Sequence, residues 1–447
     1  MIEPRLLTAF PLIPLFAAII ALGAGLVRRD VTNGALRLAI ALQIATGIGL
    51  SIAGARGAAL RLPLAETPLA IVFAFGPDRI PLMLAYLIPL AAAAGRLETL
   101  RTPSLRLLLL LYMGGGSGLI VTADLFNFFV FYELMVMAAY MLVGANGRFY
   151  ASLKYMLFGA LGATALLGGI VLLYATGAGF TNRLDPQFLA ADPLHQRWTL
   201  LLLATAFLLK SALVPAWTWV ATCHAATVTP VSALLAGFTL MIGLFGLQTH
   251  VLVPAAALGI GELPAWIATL GMATVLIPAL FALAEPHPKR CVAVTTVVAG
   301  GFVAWLMARG HTDAAMSFIA VHAVGKTLMF HALDEMDIQG RCLRARRRSW
   351  AVFVIGTIIA IGLTPTPIGH WKRLLADDAA WAGWFVTCAT ALALATLFKF
   401  RCGWGGRPPP SWLVGAGSTA LVATLIVGVA LLSPGQWAQK MISDTLA

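Results

Sequence analysis

The segment SLRLLLLLYMGGGSGLIVTADLFNFFVFYELMVMAAYMLVG, residues 104–144, predicts the fold class of the whole chain. It holds two apolar runs, 104–123 and 126–144, and about 20 apolar residues are enough for a helix to cross a bilayer. Only residues 124 and 125 separate the two runs. We therefore expect two antiparallel membrane helices, the second of which carries Glu133 in its interior.

The same pattern recurs throughout the 447 residues, of which 60% are hydrophobic and 11% charged, with a mean hydropathy of +0.89. No linker or soluble-domain-sized polar segment interrupts it, so we predict an all-α polytopic membrane protein with about 14 transmembrane helices in a single membrane domain, 1–447. The first run is long for a signal peptide, and we interpret it as the first helix. The predicted spans are 6–27, 35–54, 80–95, 104–123, 126–144, 152–176, 198–220, 228–250, 264–284, 291–308, 314–333, 349–363, 379–398 and 412–432.

The net charge of +12 is explained by membrane orientation and does not indicate nucleic-acid binding. Alternate loops are rich in Lys and Arg, and cytoplasmic loops carry this excess. We therefore predict an inner-membrane protein whose two termini both face the periplasm. The basic loops contain Arg28, Arg29, Arg37, Arg96, Arg101, Arg106, Arg148, Lys154, Lys289, Arg290, Arg341, Arg344, Arg346, Arg347, Arg348, Lys399, Arg401 and Arg407.

The five cysteines are scattered and form no CxxC pair. This spacing argues against a zinc or iron–sulfur site and against a disulfide framework. We therefore predict that the chain has no cofactor and no metal site.

Two segments are predicted to interrupt helices. The first lies around Pro215 and continues to Pro230, and the second contains Pro365 and Pro367, ahead of Lys372. Proline removes a helical hydrogen-bond donor, and irregular backbone at membrane depth is tolerated where it is buried in protein or lines water. Paired breaks of this kind mark transport routes in secondary transporters. The alternative is that both are ordinary proline kinks or turns.

Three ionisable residues, Glu133, Lys210 and Lys326, lie inside predicted spans. A charge at the centre of a membrane helix costs roughly 2.5–3.5 kcal/mol on insertion scales, so such residues usually have a function. Lys210 is the best candidate partner for Glu133, because a lysine can lose its proton on burial whereas an arginine stays charged. Separating the carboxylate from the ammonium would favour loss of the lysine proton and protonation of the glutamate. Movement of charge would then be linked to movement of protons. The alternative is a static buried ion pair that only positions helices.

His322 and Lys326 are four residues apart and therefore share one helix face, on which an imidazole can pass protons to an amine. His224, in the first interrupted segment, is a second candidate relay. The alternative for each histidine is a hydrogen-bonded packing residue. Asp124 is expected to cap the following helix and is a further candidate for a supporting role in proton transfer.

The arginine cluster near residue 345 is interpreted first as a topology determinant. It is also a candidate binding site for lipid head groups or for a cytoplasmic partner. Its members are Arg341, Arg344, Arg346, Arg347 and Arg348.

The segment Asp124-Leu-Phe-Asn-Phe-Phe-Val-Phe-Tyr-Glu133 resembles the "DLFNLFVFWE" motif of the antiporter-like subunits of respiratory complex I and of Mrp-type cation/proton antiporters, which also occur in membrane-bound hydrogenases. Residues 207–215, 224–226 and 229–237 resemble the family's "KSALFPFHxWLPxAHAAAPTPVSALLSG". Weaker similarity follows at Pro288-Lys-Arg290 and at His322-Ala-Val-Gly-Lys326.

The resemblance implies two inverted five-helix repeats with broken helices, which we place at 104–250 and 264–398. It implies that Glu133 and Lys210 form a coupling pair, that Lys326 lies on a central hydrophilic axis, and that Lys372 leads to the exit. Any redox chemistry would belong to other subunits of the complex.

Two departures from the family pattern bear on function. Met241 stands where an axis lysine is expected, and Thr222 where complex I members often have aspartate. Because a thioether cannot relay protons, the path between the two halves is interrupted at Met241 unless water bridges it.

The sequence therefore predicts a proton-translocating, antiporter-like subunit of a multi-subunit membrane complex, such as a complex I-like quinone oxidoreductase or a related hydrogenase. Its partners would be other membrane subunits, and it would move protons, with Na⁺ as a second candidate ion. One alternative is a subunit of an Mrp-type Na⁺/H⁺ antiporter or of a proton-driven inorganic-carbon transporter. Another is a degenerate scaffold subunit that does not conduct.

Overall fold

The computed structural model describes residues 5–26, 30–64, 71–177, 186–339, 342–344 and 347–361. The predicted spans 379–398 and 412–432 lie outside these residues. The same holds for the second interrupted segment with Pro365, Pro367 and Lys372, and for Arg341 and Arg346.

Within these ranges the chain is almost entirely helical, and nine helices are long and apolar enough to cross a membrane. The prediction of an all-α polytopic membrane protein is confirmed. The helices are α1 Leu6–Leu26, α2 Thr32–Ala55, α3 Ile80–Ala94, α4 Pro103–Val121, α5 Leu125–Gly144, α6 Phe149–Ala175, α7 Pro186–Leu189, α8 Pro193–Lys210, α9 Thr218–Ala226, α10 Thr229–Leu234, α11 Leu240–Leu247, α12 Val253–Ala257, α13 Glu262–Ala284, α14 Pro288–Ala308, α15 Thr312–Asp334 and α16 Arg347–Ile361.

The central helix of the described bundle is the continuous segment Thr229–Ala257, which joins α10, α11 and α12. In its most apolar stretch, 100% of the residues are buried within the protein. In the corresponding stretches of α1 and α6 only 33% are buried, and large apolar side chains lie on the surface. Helices α3, α8, α14 and α15 pack around the central helix. Polar groups on this helix are therefore shielded from lipid.

Two π-helical turns, Leu235–Thr239 and Gln248–Leu252, interrupt the regular winding of the central helix. In a π turn the hydrogen bonds run from i to i+5, which widens the helix locally, and such turns are frequent at functional sites. Met241 follows the first π turn by two residues. The sequence contains no proline or other break signal there, so these turns were not predicted.

A small β-hairpin follows α2, with strand β1 at Leu60–Pro63 paired antiparallel to β2 at Val72–Phe75. The strands are four residues each, too short for an alternating pattern to reveal them. Their position depends on a distant partner: Phe73 forms a bridge to Thr122, and Ala123 N–H donates to the carbonyl of Val72. A second pair, β3 Asp337–Gln339 and β4 Cys342–Arg344, follows α15.

The turn between α4 and α5 is held by two charged side chains. Asp124 is the N-cap of α5 and accepts hydrogen bonds from Asn127 N–H at 2.6 Å and Val72 N–H at 3.1 Å. Burial raises the pKa of the Asp124 carboxyl above its ordinary value, while these hydrogen bonds oppose the shift. Arg79, which is 6% exposed, donates to the carbonyls of Ile120 at 2.8 Å and Thr122 at 2.7 Å.

The glycine run of α4 allows close contact between helices. A Cβ at Gly115 would lie 2.6 Å from the backbone nitrogen of Met135 in α5, and one at Gly118 would meet the ring of Phe131. Small residues at such positions let membrane helices approach closely enough to gain van der Waals contact. The run therefore positions α5, the helix of Glu133.

Gly115→Ala is expected to lower the thermal stability of the protein in detergent. The new methyl group would press on backbone rather than on a movable side chain, and overpacking costs roughly 1–3 kcal/mol. The control is Gly49→Ala in α2, where no heavy atom lies within 4 Å of the added Cβ. Size-exclusion chromatography after a temperature series measures both variants, and equal melting temperatures would contradict the close-packing interpretation.

Candidate functional site

Lys210 is the last residue of α8 and is 4% exposed. The chain leaves helical conformation after it, from Ser211 to Trp217, and resumes as α9 at Thr218. Pro215 lies within this interruption, and Pro230 falls in the first turn of α10, where its missing N–H is tolerated. The carboxyl end of a helix carries partial negative charge and favours a cation, so the interruption itself stabilises the ammonium of Lys210.

Two tyrosine rings surround the ammonium of Lys210. Its Nζ lies 4.9 Å from the ring centroid of Tyr132 and 5.4 Å from that of Tyr155, and it donates a hydrogen bond to the Tyr155 hydroxyl at 3.3 Å. Cation–π contacts of this kind are worth about 2 kcal/mol when the cation is desolvated. A cavity of about 10 Å³ adjoins the cluster, roughly the room that one water molecule needs. The site thus favours a buried charge and has space for one proton carrier.

Glu133 lies on α5 next to Tyr132, and its Oε1 is buried without a hydrogen-bond partner in the part of the chain that the structure describes. No oxygen of Glu133 comes within 4.0 Å of Lys210 Nζ among the described ion pairs, yet the two charges interact electrostatically. The predicted pair is therefore not a direct ion pair in this conformation but a longer-range electrostatic interaction. The coupling role stays a prediction.

Lys326 lies on α15, is 1% exposed, and anchors this helix to α14. Its Nζ donates hydrogen bonds to the carbonyl of Val292 at 2.8 Å and to the hydroxyl of Thr295. No carboxylate forms an ion pair with it among the residues described. Among the described residues, the ammonium of Lys326 is therefore held by two neutral oxygens of α14.

His322 shares a helix face with Lys326, as the spacing predicted, and is fully buried. Its Nδ1 lies 3.4 Å from the carbonyl of Ala360, and its ring stacks on Phe318 with centroids 5.8 Å apart. Its Nε2 has no hydrogen-bond partner within the described ranges.

His224 connects the interrupted segment with the second half of the chain. It is fully buried on α9, and neither ring nitrogen has a hydrogen-bond partner in the described structure. Its ring lies 5.9 Å from that of Phe330, one turn beyond Lys326, and it interacts electrostatically with both Lys326 and Lys289. His224 therefore faces the second-half lysine, although it belongs to the first-half motif.

A cluster of charged residues lies at the ends of α3 and α15. Arg96, just beyond α3, forms ion pairs of 2.9 Å with Asp334 and with Glu335 at the end of α15. The Thr229 hydroxyl donates to Asp334 at 2.8 Å, and Lys289 donates to the carbonyl of Thr227. The cluster thus joins α3, α10, α14 and α15.

Met241 is fully buried on the central helix, as the family pattern would require of an axis residue. Gly243 follows Met241 by two residues and contacts the side chain of Lys210. The Cγ of Lys210 would lie 3.0 Å from a Cβ at residue 243. Lys210 therefore packs directly on the helix that carries the methionine.

Several residues of this site were not singled out from the sequence. Tyr132 lies within the family-like segment 124–133. In the sequence, Tyr132 and Tyr155 resemble ordinary aromatic packing residues, and Thr295 resembles an ordinary helix residue. A buried cation needs aromatic or oxygen partners, and this requirement is the signal that could have pointed to them. The side chains of Arg344 and Arg347 are not described, and Arg348 is exposed at the start of α16.

The described residues contain no group of three or more His, Cys, Asp or Glu side chains that could hold a metal ion. The ionisable and polar side chains of the described site are amines, imidazoles, carboxyls and hydroxyls. All of these exchange protons.

The fold and this set of groups define a polytopic membrane protein with ionisable side chains packed among its helices. The sequence model of the NADH:quinone oxidoreductase/Mrp antiporter transmembrane family matches residues 122–363, more than half of the chain. The chain belongs to this family. The match confirms the family identified from the motifs around Glu133 and Lys210.

Curated relatives come from both branches of the family. NAD(P)H-quinone oxidoreductase chain 4 of Prochlorococcus marinus (strain MIT 9312) is 28% identical over 290 residues, which cover 59% of this chain and 53% of the relative. A probable K(+)/H(+) antiporter subunit of Rhizobium meliloti (strain 1021) is 30% identical over 247 residues, 52% of this chain and 45% of the relative. The chain therefore spans about half the length of the curated relatives that it matches.

Two solved structures share the fold. The Mrp complex from Dietzia sp. DQ12-45-1b contains a chain with a TM-score of 0.78 and 21% identity, covering 92% of this chain and 82% of that one. A chain of the archaeal membrane-bound sulfane sulfur reductase also has a TM-score of 0.78, with 18% identity and 95% coverage of both chains. At these identities the similarity establishes the fold.

Proposed function

We propose that this protein is a proton-translocating, antiporter-like subunit of a multi-subunit membrane complex. The observation that carries the proposal is the ammonium of Lys210, buried at a helix interruption between two tyrosine rings and within the electrostatic field of Glu133. An amine in this position can exist with or without its proton. Movement of Glu133 toward or away from it would change which form is favoured.

The proposed route has two halves. In the first, Glu133 and Lys210 exchange charge and proton. In the second, His224, Lys326 and His322 carry protons. This half is supported by the electrostatic interaction of His224 with Lys326 and by the burial of His322 on the same helix face as Lys326. Lys372 would lead to the exit, and Asp124 would support the path by positioning α5.

The proposed partners are other membrane subunits of the same complex. Both structural neighbours belong to multi-subunit membrane assemblies, and the curated relatives include a quinone oxidoreductase chain and an antiporter subunit. Redox chemistry, where the complex has it, would reside in those partners. The Arg341–Arg348 cluster is proposed to bind lipid head groups or a cytoplasmic partner.

The proposed orientation places both termini and the β1–β2 hairpin on the periplasmic side of the inner membrane. The Arg96–Asp334 cluster and the arginine cluster then face the cytoplasm, in agreement with the positive-inside rule. A sodium- or potassium-exchanging subunit is the second candidate function, favoured by the antiporter relative.

Glu133→Gln tests the coupling pair. The amide keeps the size of the side chain but removes its charge and its titration, so we expect proton translocation to fall about 100-fold, within the range of a lost proton-transfer group. The measurement is the initial rate of dye-reported acidification in inverted membrane vesicles that contain the complete complex. Glu98→Gln, at an exposed position in the loop after α3, is the control. Wild-type rates in the Glu133 variant would refute the pair.

A further inference from the structure

An apolar groove of about 1150 Å³ lies between α1 and α2 at the surface of the bundle. This volume exceeds the roughly 300–1,000 Å³ of pockets that bind drug-sized ligands. The large apolar side chains of Phe16, Ile20 and Leu38 line the groove and are more than half exposed. Exposed apolar surface of this extent marks a binding site or a membrane contact. Because the bilayer core holds no water, the groove takes an apolar occupant there.

The length of the groove corresponds to one leaflet of the bilayer. On α2 its lining runs from Asp30, just ahead of the helix, to Leu42, about 18 Å at helical rise. On α1 it runs from Thr8 to Ala24, about 24 Å. Half a bilayer with its head groups measures about 20–22 Å, whereas a helix that crosses the hydrocarbon core needs about 30 Å of apolar contact. These lengths favour one phospholipid molecule over a transmembrane helix as the occupant.

Small residues on α2 leave room inside the groove. Gly34 lines it, and a Cβ at this position would meet no heavy atom within 4 Å. Ala35 and Ala39 line the groove beside it. Lipid tails are as apolar as leucine, so inside a bilayer no hydrophobic driving force selects one apolar occupant over another. The selectivity of the groove must therefore come from its polar end.

The polar end of the groove carries a pair of opposite charges. Asp30 is the one charged residue among the described residues that line the groove, and its side chain is 49% exposed. Its Oδ1 accepts hydrogen bonds from the N–H of Thr32 at 3.0 Å and from the Thr32 hydroxyl at 2.6 Å. These bonds lower the pKa of the Asp30 carboxyl below its ordinary value, so it is charged at neutral pH. Its Oδ2 accepts a longer hydrogen bond of 3.4 Å from Arg106 of α4.

We propose that this groove binds one phospholipid with a zwitterionic amine head group, of the phosphatidylethanolamine type. Its acyl chains would lie between α1 and α2, and its ammonium would donate to the carboxylate of Asp30. Its phosphate would accept from the guanidinium of Arg106, whose side chain is 17% exposed. An anionic head group without an amine would leave the carboxylate without a cation from the lipid. The proposal does not depend on the proposed proton translocation.

The test measures lipid binding to the purified full-length protein by native mass spectrometry, which identifies a bound lipid by its mass. Phosphatidylethanolamine and phosphatidylglycerol with identical acyl chains are titrated separately. We expect the wild-type protein to bind the amine lipid about tenfold more tightly, a difference of about 1.4 kcal/mol. In Asp30→Asn the side-chain oxygen can still accept from Thr32 but the charge is gone, so we expect the two affinities to come within about twofold of each other.

A second variant fills the groove and so separates it from other lipid contacts. Gly34→Leu places its side chain in open space, so it blocks the groove without a clash. Gly49→Leu is the matched control on the same helix, because a Cβ there also meets no heavy atom within 4 Å and Gly49 does not line the groove. We expect Gly34→Leu to weaken binding of the amine lipid at least about tenfold and Gly49→Leu to retain it.

Three results would overturn the proposal. Equal affinities in the wild-type protein, or tighter binding of phosphatidylglycerol, would contradict the role of Asp30. Unchanged lipid binding in Gly34→Leu would place the lipid elsewhere, as expected if a second copy or another segment of this chain covers the groove. Release of a membrane subunit from the purified complex by Gly34→Leu, but not by Gly49→Leu, would show that a partner helix occupies the groove.

Discussion

Lys210→Arg is expected to abolish proton translocation even though it keeps the positive charge. A guanidinium stays protonated under all relevant conditions, so it can neutralise Glu133 but cannot release a proton. Lys210→Ala should be equally inactive, because it removes both charge and titration. We expect both rates to fall about 100-fold or more, the range for loss of a proton-transfer group.

The measurement is dye-reported proton uptake in inverted vesicles that contain the complete complex, normalised to the amount of protein. Lys154→Ala is the control, since Lys154 is partly exposed near the start of α6 and its only described hydrogen bond goes to the carbonyl of Thr218. Wild-type activity of Lys210→Arg would show that deprotonation of this residue is not needed. The positive charge of residue 210 would then be sufficient for its role.

Arg79→Met is expected to produce the largest loss of stability. The guanidinium donates to three carbonyls, those of Ala74 at 3.1 Å, Ile120 and Thr122, and it lies over the ring of Phe245 at 5.7 Å. Burial lowers the pKa of Arg79 to about 10, which still leaves it charged at neutral pH. Methionine would leave the carbonyl end of α4 without donors.

A hydrogen bond to a charged group contributes roughly 1.5–3 kcal/mol, so we expect the free energy of unfolding to fall by about 3 kcal/mol or more. Thermal unfolding in detergent measures the change. Arg197→Met is the control, because its ion pair with Glu262 at 3.7 Å is exposed and such pairs contribute about 0–1 kcal/mol. Equal melting temperatures for the two variants would contradict the role assigned to Arg79.

Local patterns in the sequence predicted much of the fold. Apolar runs of membrane length, the proline at 215 and the cap at Asp124 act through neighbours in the chain or through helix length. The described residues contain nine helices of membrane length, the interruption after Lys210 and the cap. The β1–β2 hairpin and the π turns were missed. The hairpin depends on Thr122 and Ala123 for its position, and no local signal marks the π turns.

The residues of the candidate site also fall into two groups, those predicted from the sequence and those identified only in the structure. The sequence by itself determined that Glu133, Lys210, His224, His322 and Lys326 are ionisable groups inside a membrane, because the cost of burying charge makes each of them conspicuous. Tertiary structure alone decided their partners: Tyr155 lies 55 residues from Lys210, and Thr295 lies 31 residues from Lys326. An apolar helix shows in its own composition that it can lie in a membrane. A buried ammonium, by contrast, is stabilised by the rings and hydroxyls that packing brings to it, and these follow only from how α5, α6 and α8, and α14 and α15, pack together.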